Sequence, residues 1–216
     1  MNRPRIVLAD DHAILLEGLR ELLSSDFEIV GAVGDGRALV EAVEALAPDI
    51  AVIDISMPLL NGIESARKLR ETRPQVKIVF LTMHKDVGLL KEALRAGGFG
   101  YVLKESAAQE LIAALRQVVG GRYYISPAIS DALGAPISEF KRRVTKSPKD
   151  DLTLRQIEVL QLIAEGKSMK EIAAVLSISF KTVEFHKYRM MKKLGLKTSA
   201  ELIRYAVNLG LVALKQ

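Results

Sequence analysis

The stretch Ile50-Ala51-Val52-Ile53-Asp54-Ile55 is a run of apolar, mostly β-branched residues that holds a single carboxylate near its end. Strands that are apolar on both faces are typical of parallel sheets, because helices cover both faces of such a sheet. The stretch therefore predicts a buried central strand whose carboxyl end carries Asp54.

Similar short runs alternate with amphipathic stretches through the first half of the chain. The predicted strands are Ile6–Asp10, Ile29–Val33, Ile50–Ile55, Ile78–Thr82 and Tyr101–Leu103. The predicted helices lie near residues 13–23, 37–46, 62–72, 87–96 and 107–119. This alternation predicts an α/β fold with a five-stranded, doubly wound parallel sheet of flavodoxin-like strand order.

The pattern changes after Gly120-Gly121. Residues 126–150 contain Pro127, Pro136, Pro148 and the basic run Lys141-Arg142-Arg143, which indicates a linker with at most a short helix near 128–140. From Leu152 onwards only helical periodicity remains, in segments near 154–165, 168–176, 179–194 and 199–209. We therefore predict one domain over residues 1–122, a linker over 123–149 and an all-α domain of four helices over 150–216.

Charge and cysteine content narrow the possible functions. Residues 1–123 hold 15 Lys and Arg against 17 Asp and Glu, whereas residues 124–216 hold 16 against 9, so only the second half is basic enough to suggest a polyanionic partner. The absence of cysteine excludes disulfides, thiolate zinc sites and cysteine nucleophiles. The N-terminus shows no signal-peptide core and no apolar run could span a bilayer, so we expect a soluble, cytoplasmic protein.

Five polar side chains fall at one edge of the predicted sheet. In an open parallel sheet, ligands bind outside the carboxyl ends of the strands. Those ends carry Asp10, Asp11, Asp54, Thr82 and Lys104. Three crowded carboxylates repel one another, and Mg²⁺ is a hard cation that such a set would bind. Asp54 is the candidate nucleophile, because a phosphoryl group placed on it would be held by the cation, Thr82 and Lys104.

The first half resembles the receiver domain of response regulators. The resemblance is carried by the strings Leu8-Ala9-Asp10-Asp11-His12, Val52-Ile53-Asp54-Ile55-Ser56-Met57-Pro58 with Asn61-Gly62, and Gly100-Tyr101-Val102-Leu103-Lys104. It implies that Asp54 is the phosphoacceptor, and that Asp10, Asp11, Asp54 and the Ser56 backbone carbonyl bind Mg²⁺. It also implies that Lys104 contacts the phosphoryl group, while Thr82 and Tyr101 form the switch pair.

Single residues of this set have simpler interpretations. Asp11 alone would be a helix cap or a solvated charge, and Tyr101 alone would be a half-buried strand aromatic. We do not predict a metal role for His12 or His84, because the sequence supplies no evident partners for either imidazole.

In the second half, residues 181–194 predict a two-faced helix. At 100° per residue Val183, Met190 and Leu194 share one face, and the opposite face holds Lys181, Phe185, Tyr188 and Lys192. The first set is suited to packing. The second is an exposed stripe of cations and aromatics that suits the major groove of DNA.

This half resembles the LuxR-type helix-turn-helix of NarL/FixJ response regulators. The motif runs from Leu152-Thr153-Leu154-Arg155-Gln156 through Ala164-Glu165-Gly166-Lys167-Ser168 to Lys193-Leu194-Gly195. Ser177 replaces the usual turn glycine, at a cost of about 1 kcal/mol if it adopts positive φ, and Met169 replaces a common asparagine. The resemblance assigns DNA contacts to Lys181, Thr182, Glu184, Phe185, Tyr188, Lys192 and Lys193. His186 is expected to face inward.

The last helical segment carries a stripe of small and medium apolar residues: Ala200, Ile203, Ala206 and Val207. At this spacing the stripe could join two copies of the domain in a dimer. The alternative is that it packs against its own domain.

Together these features predict a NarL/FixJ-type response regulator. A sensor histidine kinase would phosphorylate Asp54, and the switch would remodel the surface around strands four and five. The DNA-binding domain would then be released, dimerise on inverted half-sites and contact RNA polymerase. Beyond self-catalysed phosphorylation and dephosphorylation we expect no enzyme activity.

Two alternatives differ from this prediction. A haloacid-dehalogenase-like phosphatase also uses an aspartyl nucleophile, but it would need Asp-x-Asp after the first strand, and here Asp54 follows the third. A regulator that works without phosphorylation could keep the acidic residues as a scaffold, and only the completeness of the set argues against it.

Overall fold

In the computed structural model, which describes residues 3–131, 152–209 and 211–212, the first domain is a parallel sheet covered by helices on both faces. The strand order is β2-β1-β3-β4-β5-β6, so the predicted flavodoxin-like order is confirmed. The strands are β1 Arg5–Ala9, β2 Glu28–Val33, β3 Ile50–Asp54, β4 Lys77–Thr82, β5 Gly98–Leu103 and β6 Tyr124–Ile125.

Helices α1 to α5 follow the first five strands in turn. They are α1 Ala13–Leu23, α2 Gly36–Leu46, α3 Gly62–Thr72, α4 Val87–Arg95 and α5 Ala107–Val119, with a 3₁₀ turn at Lys104–Ser106 and a short helix α6 at Pro127–Ser130. Every residue of β3 is buried, as its apolar sequence predicts. Two apolar clusters, one on each face of the sheet, therefore make up the core of this domain.

The prediction of five strands is wrong by one. Residues 124–125, which we assigned to the linker over 123–149, pair with β5 as a sixth strand. Ser126 extends this pairing, since its backbone amide donates to the Tyr101 carbonyl at 2.9 Å and its Oγ accepts from the Leu103 amide at 3.1 Å. A two-residue strand is too short to show any periodicity. Of the helix predicted near 128–140, the described part is α6, and the rest lies outside the described residues.

The second domain is helical, with α7 at Leu154–Ala164, α8 at Met169–Leu176, α9 at Phe180–Leu194 and α10 at Ser199–Asn208. Three of these helices begin at a capping box. In each, the hydroxyl of the capping residue accepts from the backbone amide three residues later, and the Gln or Glu side chain at that later position accepts from the backbone amide of the capping residue. The capping residues are Thr153, Ser168 and Thr198. No helix in the described ranges has the length and apolarity needed to cross a membrane.

The two domains touch at the loop between β3 and α3. Leu59 in this loop packs against the apolar core of the helical domain. The Arg37 guanidinium of α2 donates to the Val175 carbonyl at the end of α8 at 2.6 Å. The helical domain thus lies against the loop that follows the Asp54 strand.

Gly62 offers a test of the packing around that strand. A Cβ built on Gly62 would lie 2.1 Å from the Asp54 carbonyl oxygen, and backbone cannot move aside as a flexible side chain can. Gly62→Ala should therefore destabilise the protein by about 1–3 kcal/mol or more in denaturant unfolding. Gly18→Ala is the matched control. It lies in α1 with no heavy atom within 4 Å of the added Cβ, and should stabilise by about 0.5–1 kcal/mol. An unfolding midpoint unchanged by Gly62→Ala would contradict the packing described.

Candidate functional site

Three polar side chains are buried at the carboxyl edge of the sheet. Asp10 is 2% exposed, Asp54 is 4% exposed and Thr82 is fully buried. Asp10 follows β1, while Asp54 and Thr82 end β3 and β4. The edge predicted from the strand ends therefore exists; Asp10 and Asp54 are shielded from bulk water, whereas Asp11 is exposed.

Lys104 connects two of these carboxylates. Its Nζ lies 2.6 Å from Asp10 Oδ2 and 2.9 Å from Asp54 Oδ2. Burial lowers the pKa of Lys104, but the hydrogen bond to Asp10 and the charge of Asp54 outweigh it and raise that pKa. Burial raises the pKa of Asp54, and the Lys104 ammonium opposes this. Lys104 thus stays protonated and acts as a built-in counter-ion for both acids.

His12 contacts two acids of the cluster. Its Nδ1 lies 2.9 Å from an oxygen of Asp10 and 2.9 Å from an oxygen of Asp11. The hydrogen bond with Asp10 and the charge of Asp11 raise the pKa of His12. One ligand atom from each of Asp10, Asp11, His12 and Asp54 can be chosen so that all lie within 4.8 Å of one another. The expectation that His12 has no partners is therefore wrong: its sequence neighbours Asp10 and Asp11 supply them.

This cluster is compatible with a divalent cation. Carboxylate oxygens are the ligands that hard cations such as Mg²⁺ prefer, and three carboxylates converge here. Lys104 and His12 already contact oxygens of these carboxylates. A cation would therefore displace these side chains or bind the carboxylates together with them.

Tyr101 and Thr82 are joined through the segment after β4. The Tyr101 hydroxyl donates to the His84 carbonyl at 3.0 Å, and the His84 amide donates to Thr82 Oγ1 at 3.1 Å. The His84 ring in turn lies 3.2 Å from Ser56 Oγ. Tyr101 is buried, and this burial raises the pKa of its hydroxyl. A change at Thr82 can therefore reach Tyr101 through one backbone segment.

In the helical domain, α9 has the two faces that its sequence predicts. Val183 and Met190 are fully buried, while Phe185 is 54% and Tyr188 is 67% exposed. Ser179 caps the helix by accepting from the Thr182 amide at 3.1 Å. Ser177, which ends α8, adopts the left-handed conformation with φ of 53°. The turn thus keeps the geometry for which a glycine is usual, and the helix presents two large aromatic side chains to solvent.

Cations surround those aromatics. Lys181, Lys192 and Lys193 are exposed on α9, together with the carboxylate of Glu184. Sequence reasoning missed Arg189, which is exposed and lies over the Phe185 ring at 5.2 Å from its centroid. Its position four residues after Phe185, on the same side of the helix, was the signal that could have found it.

Two further expectations for this domain can be compared with the structure. His186 is half-buried, and burial lowers its pKa, as expected for an inward-facing imidazole. The other expectation is that Glu184 can pair with Lys187, three residues further along the helix. Lys187 instead donates to Ser199 Oγ at 2.8 Å. The carboxylate of Glu184 therefore lies on the outer surface without that cation.

The residues of the proposed dimerisation stripe on α10 differ in burial: one lies in the core of its own domain and the others lie at a cavity or at the surface. Ala206 is fully buried in the core of its own domain, so as placed here it is not available to a second copy. Ile203 and Val207 line a cavity between the domains, and Ala200 is exposed. The alternative, packing within the domain, holds for Ala206, which turns inward beside Leu202.

Comparison with known proteins gives the same two-part division. Residues 6–116 match the response regulator receiver domain, and residues 150–206 match the bacterial regulatory proteins of the luxR family. The oxygen regulatory protein NreC of Staphylococcus carnosus is 38% identical over 213 residues, which cover 94% of this chain and 97% of NreC. The transcriptional regulatory protein MctR of Rhizobium johnstonii is 36% identical over 211 residues, covering 97% of this chain and 95% of MctR.

A solved structure resembles nearly the whole chain. It is a complex of the two-component response regulator RcsB with DNA, 31% identical, with a TM-score of 0.59 and coverage of 98% of this chain and 100% of RcsB. Both halves, their order and their spacing are thus found together in regulators of transcription. This chain belongs to the NarL/FixJ-type response regulators, in which a receiver domain is joined to a LuxR-type DNA-binding domain.

Proposed function

We propose that phosphorylation of Asp54 switches the DNA binding of this regulator. The observation that carries the proposal is the position of Asp54, a buried carboxylate at the end of the central strand, 2.9 Å from the Lys104 ammonium and beside Asp10 and Asp11. A nucleophile needs to be fixed and its product stabilised, and this arrangement supplies both.

Asp10, Asp11, Asp54 and the Ser56 backbone carbonyl would hold Mg²⁺ at this edge. When bound, the ion would supply Lewis-acid stabilisation to the phosphoryl oxygens. The oxygen-rich donor set favours a hard cation, and His12 would move aside or contribute its imidazole.

The reaction at Asp54 is a phosphoryl transfer. A carboxylate oxygen of Asp54 attacks the phosphorus atom of a phosphohistidine on a sensor kinase, and the P–N bond breaks. The imidazole leaves with the bonding electrons and takes up a proton. Lys104 and the Thr82 hydroxyl then contact the new phosphoryl oxygens. Water later attacks the phosphorus, the P–O bond to Asp54 breaks, and inorganic phosphate and the free carboxylate result. The chain thus returns to its starting state without acting on another substrate.

The Thr82–Tyr101 pair would report the modification. When Thr82 turns toward the phosphoryl group, its bond with the His84 amide is lost, and the segment that holds the Tyr101 hydroxyl is freed. The surface around β4 and β5 then changes. We propose that this change releases the DNA-binding domain, favours homodimers on inverted half-sites and allows contact with RNA polymerase in the cytoplasm.

In that state α9 would enter the major groove of DNA. Lys181, Thr182, Glu184, Phe185 and Tyr188 lie on the half that reaches base edges, and Arg189 extends that stripe. Lys192 and Lys193 lie at the end that emerges beside the phosphates, where contacts position the helix without reading sequence. Ala200, Ile203 and Val207 stay candidates for the dimer contact once the receiver has moved away.

The first prediction concerns Asp54. Asp54→Asn should abolish phosphorylation by a small acyl phosphate donor, because the amide cannot act as the nucleophile. Intact-mass measurement would report the adduct. Asp49→Asn, at the opposite edge of the sheet, is the control and should keep full phosphorylation. An adduct at wild-type level in Asp54→Asn would move the phosphoacceptor elsewhere, and DNA binding that never responds to phosphorylation would favour the phosphorylation-independent regulator.

The second prediction concerns the metal. Asp11→Ala should weaken Mg²⁺ binding and slow phosphorylation, since one carboxylate ligand is removed from an oxygen-rich set. Asp26→Ala, a carboxylate outside this edge, should change neither. Calorimetric Mg²⁺ titration and the rate of adduct formation measure the two effects. Equally fast phosphorylation in excess chelator would contradict a metal requirement.

The third prediction separates phosphate contacts from base contacts. Lys193→Ala should lower the slope of log K against log salt by about 0.9, because one fewer counterion is released. Glu184→Ala should instead relax preference at one base position, by about 1–3 kcal/mol. Binding to single-base operator variants over a salt series tests both, with Lys68→Ala in the receiver as the control. A uniform tightening in Glu184→Ala without altered preference would reject a reading role for Glu184.

A further inference from the structure

The loop between β3 and α3 is held by one glutamine of the other domain. Gln161 of α7 is fully buried, and its Oε1 accepts from the Asn61 amide at 2.8 Å. Its Nε2 donates to the Met57 carbonyl at 3.0 Å and to Glu165 Oε1 at 2.8 Å. A single side chain therefore forms hydrogen bonds with the loop near both of its ends.

The Met57 carbonyl, which Gln161 binds, is one peptide unit from the Ser56 carbonyl that we assign to the metal site. Ser56, whose backbone carbonyl would bind Mg²⁺, directly precedes Met57. Only the φ and ψ angles of Met57 separate the two carbonyls, and Pro58 restricts those angles, so fixing the Met57 carbonyl limits the directions that the Ser56 carbonyl can take. Leu59, in the middle of the loop, has a φ of 66° and packs against the helical domain. The loop conformation is thus tied to the docked arrangement of the domains.

Packing alone does not fix the loop on its outer side. Ser56, Met57 and Pro58 border a cavity of about 690 Å³ between the domains, whose far wall includes Ile203 and Val207. Space on that side leaves the loop room to move. The receiver itself ties the two ends of the loop through the Gly62 amide and the Ile55 carbonyl at 2.9 Å. The hydrogen bonds of Gln161 add a restraint on the loop that comes from the other domain.

We propose that Gln161 is a positioning residue for the metal-binding loop of the receiver. While Gln161 is bonded, the loop stays in the arrangement in which the three acids are paired with Lys104 and His12. In this proposal, Mg²⁺ and a phosphoryl group draw the Ser56 carbonyl to the cation and shift the adjoining Met57 carbonyl against its bond with Gln161. Binding at the acidic site and release of the DNA-binding domain then favour each other by the same factor. This inference rests on the proposed function of the acidic site.

The test uses the full chain with Gln161→Glu. The substitution keeps an acceptor for the Asn61 amide. It replaces the donor to the Met57 carbonyl and Glu165 by a carboxylate oxygen, which these acceptors repel. The hydrogen bond to Met57 is therefore lost without a large cavity. Calorimetric titration with Mg²⁺ alone, without a phosphodonor, should show affinity raised by about fivefold or more, the lower end of measured coupling factors. Gln109→Glu on the exposed surface of α5 is the matched control and should leave the affinity unchanged.

Arg37→Ala distinguishes the effect of the Gln161 hydrogen bonds from the effect of weakening the contact between the domains. It removes the contact with the Val175 carbonyl but leaves Gln161 on the loop, so its effect on Mg²⁺ affinity should be less than that of Gln161→Glu. Equal effects of the two substitutions would overturn a role specific to Gln161. Gln161→Leu removes both hydrogen-bonding atoms without adding a charge, so it should also raise the Mg²⁺ affinity. A rise in Gln161→Glu alone would be the attraction of the added carboxylate for the cation and would overturn the inference. Thermal unfolding identifies a variant that fails to fold.

Domain separation supplies an independent readout. Because the chain has no cysteine, Glu41→Cys in α2 and Lys170→Cys in α8 allow two labels at exposed positions. The distance between them should lengthen on addition of Mg²⁺ and donor in the wild-type background, and should already be longer in Gln161→Glu. Unchanged Mg²⁺ affinity and distance in folded Gln161→Glu would overturn the inference. Absence of phosphorylation at Asp54 would instead reject the proposed function, so the two failures can be told apart.

Discussion

Repulsion between carboxylates is the constraint on which the rest of this structure depends. Asp10, Asp11 and Asp54 converge at one edge of the sheet, and two of them are nearly excluded from water. Burying like charges together is costly unless cations accompany them. Here Lys104 serves as such a cation for Asp10 and Asp54, while His12 contacts Asp10 and Asp11, so the acidic site is neutralised in part by the chain itself. A divalent ion would enter by taking over contacts that already exist.

The same edge explains why the switch and the domain contact lie close together. Parallel strands bring their carboxyl ends to one side, and the loops that leave those ends have to share it. Thr82 ends β4 and Tyr101 lies in the neighbouring strand β5. The loop that contains Ser56 follows β3. Any event at Asp54 therefore has two neighbouring loops to act upon, one facing the receiver surface and one facing the DNA-binding domain.

Much of this could be predicted from the sequence because the elements are periodic and the motifs are local. The apolar run ending in Asp54 indicated a central parallel strand, and the face of α9 opposite Val183 indicated an exposed aromatic and basic stripe. The sequence could not show that His12 pairs with Asp10 and Asp11, because that contact needs a particular turn after β1. Nor could it show Gln161 against the loop after β3, a contact over about one hundred residues that leaves no periodic signal. For Ala206 the stripe predicts either a dimer contact or packing within the domain, because a stripe pattern cannot distinguish an outer partner from the domain's own core.

The sixth strand has a consequence for how the two halves communicate. Because β6 is hydrogen-bonded to β5, and Ser126 binds the backbone of Tyr101 and Leu103, the connecting segment begins as part of the sheet and not as a free tether. Glu110 of α5 reinforces this anchorage by accepting from the hydroxyls of both Tyr124 and Ser126. The anchorage continues into α6, where Ile129 is buried in the receiver core. The first residues after the receiver helices are therefore held by the strand that carries Tyr101, so that strand contacts both the switch pair and the start of the connection to the second domain.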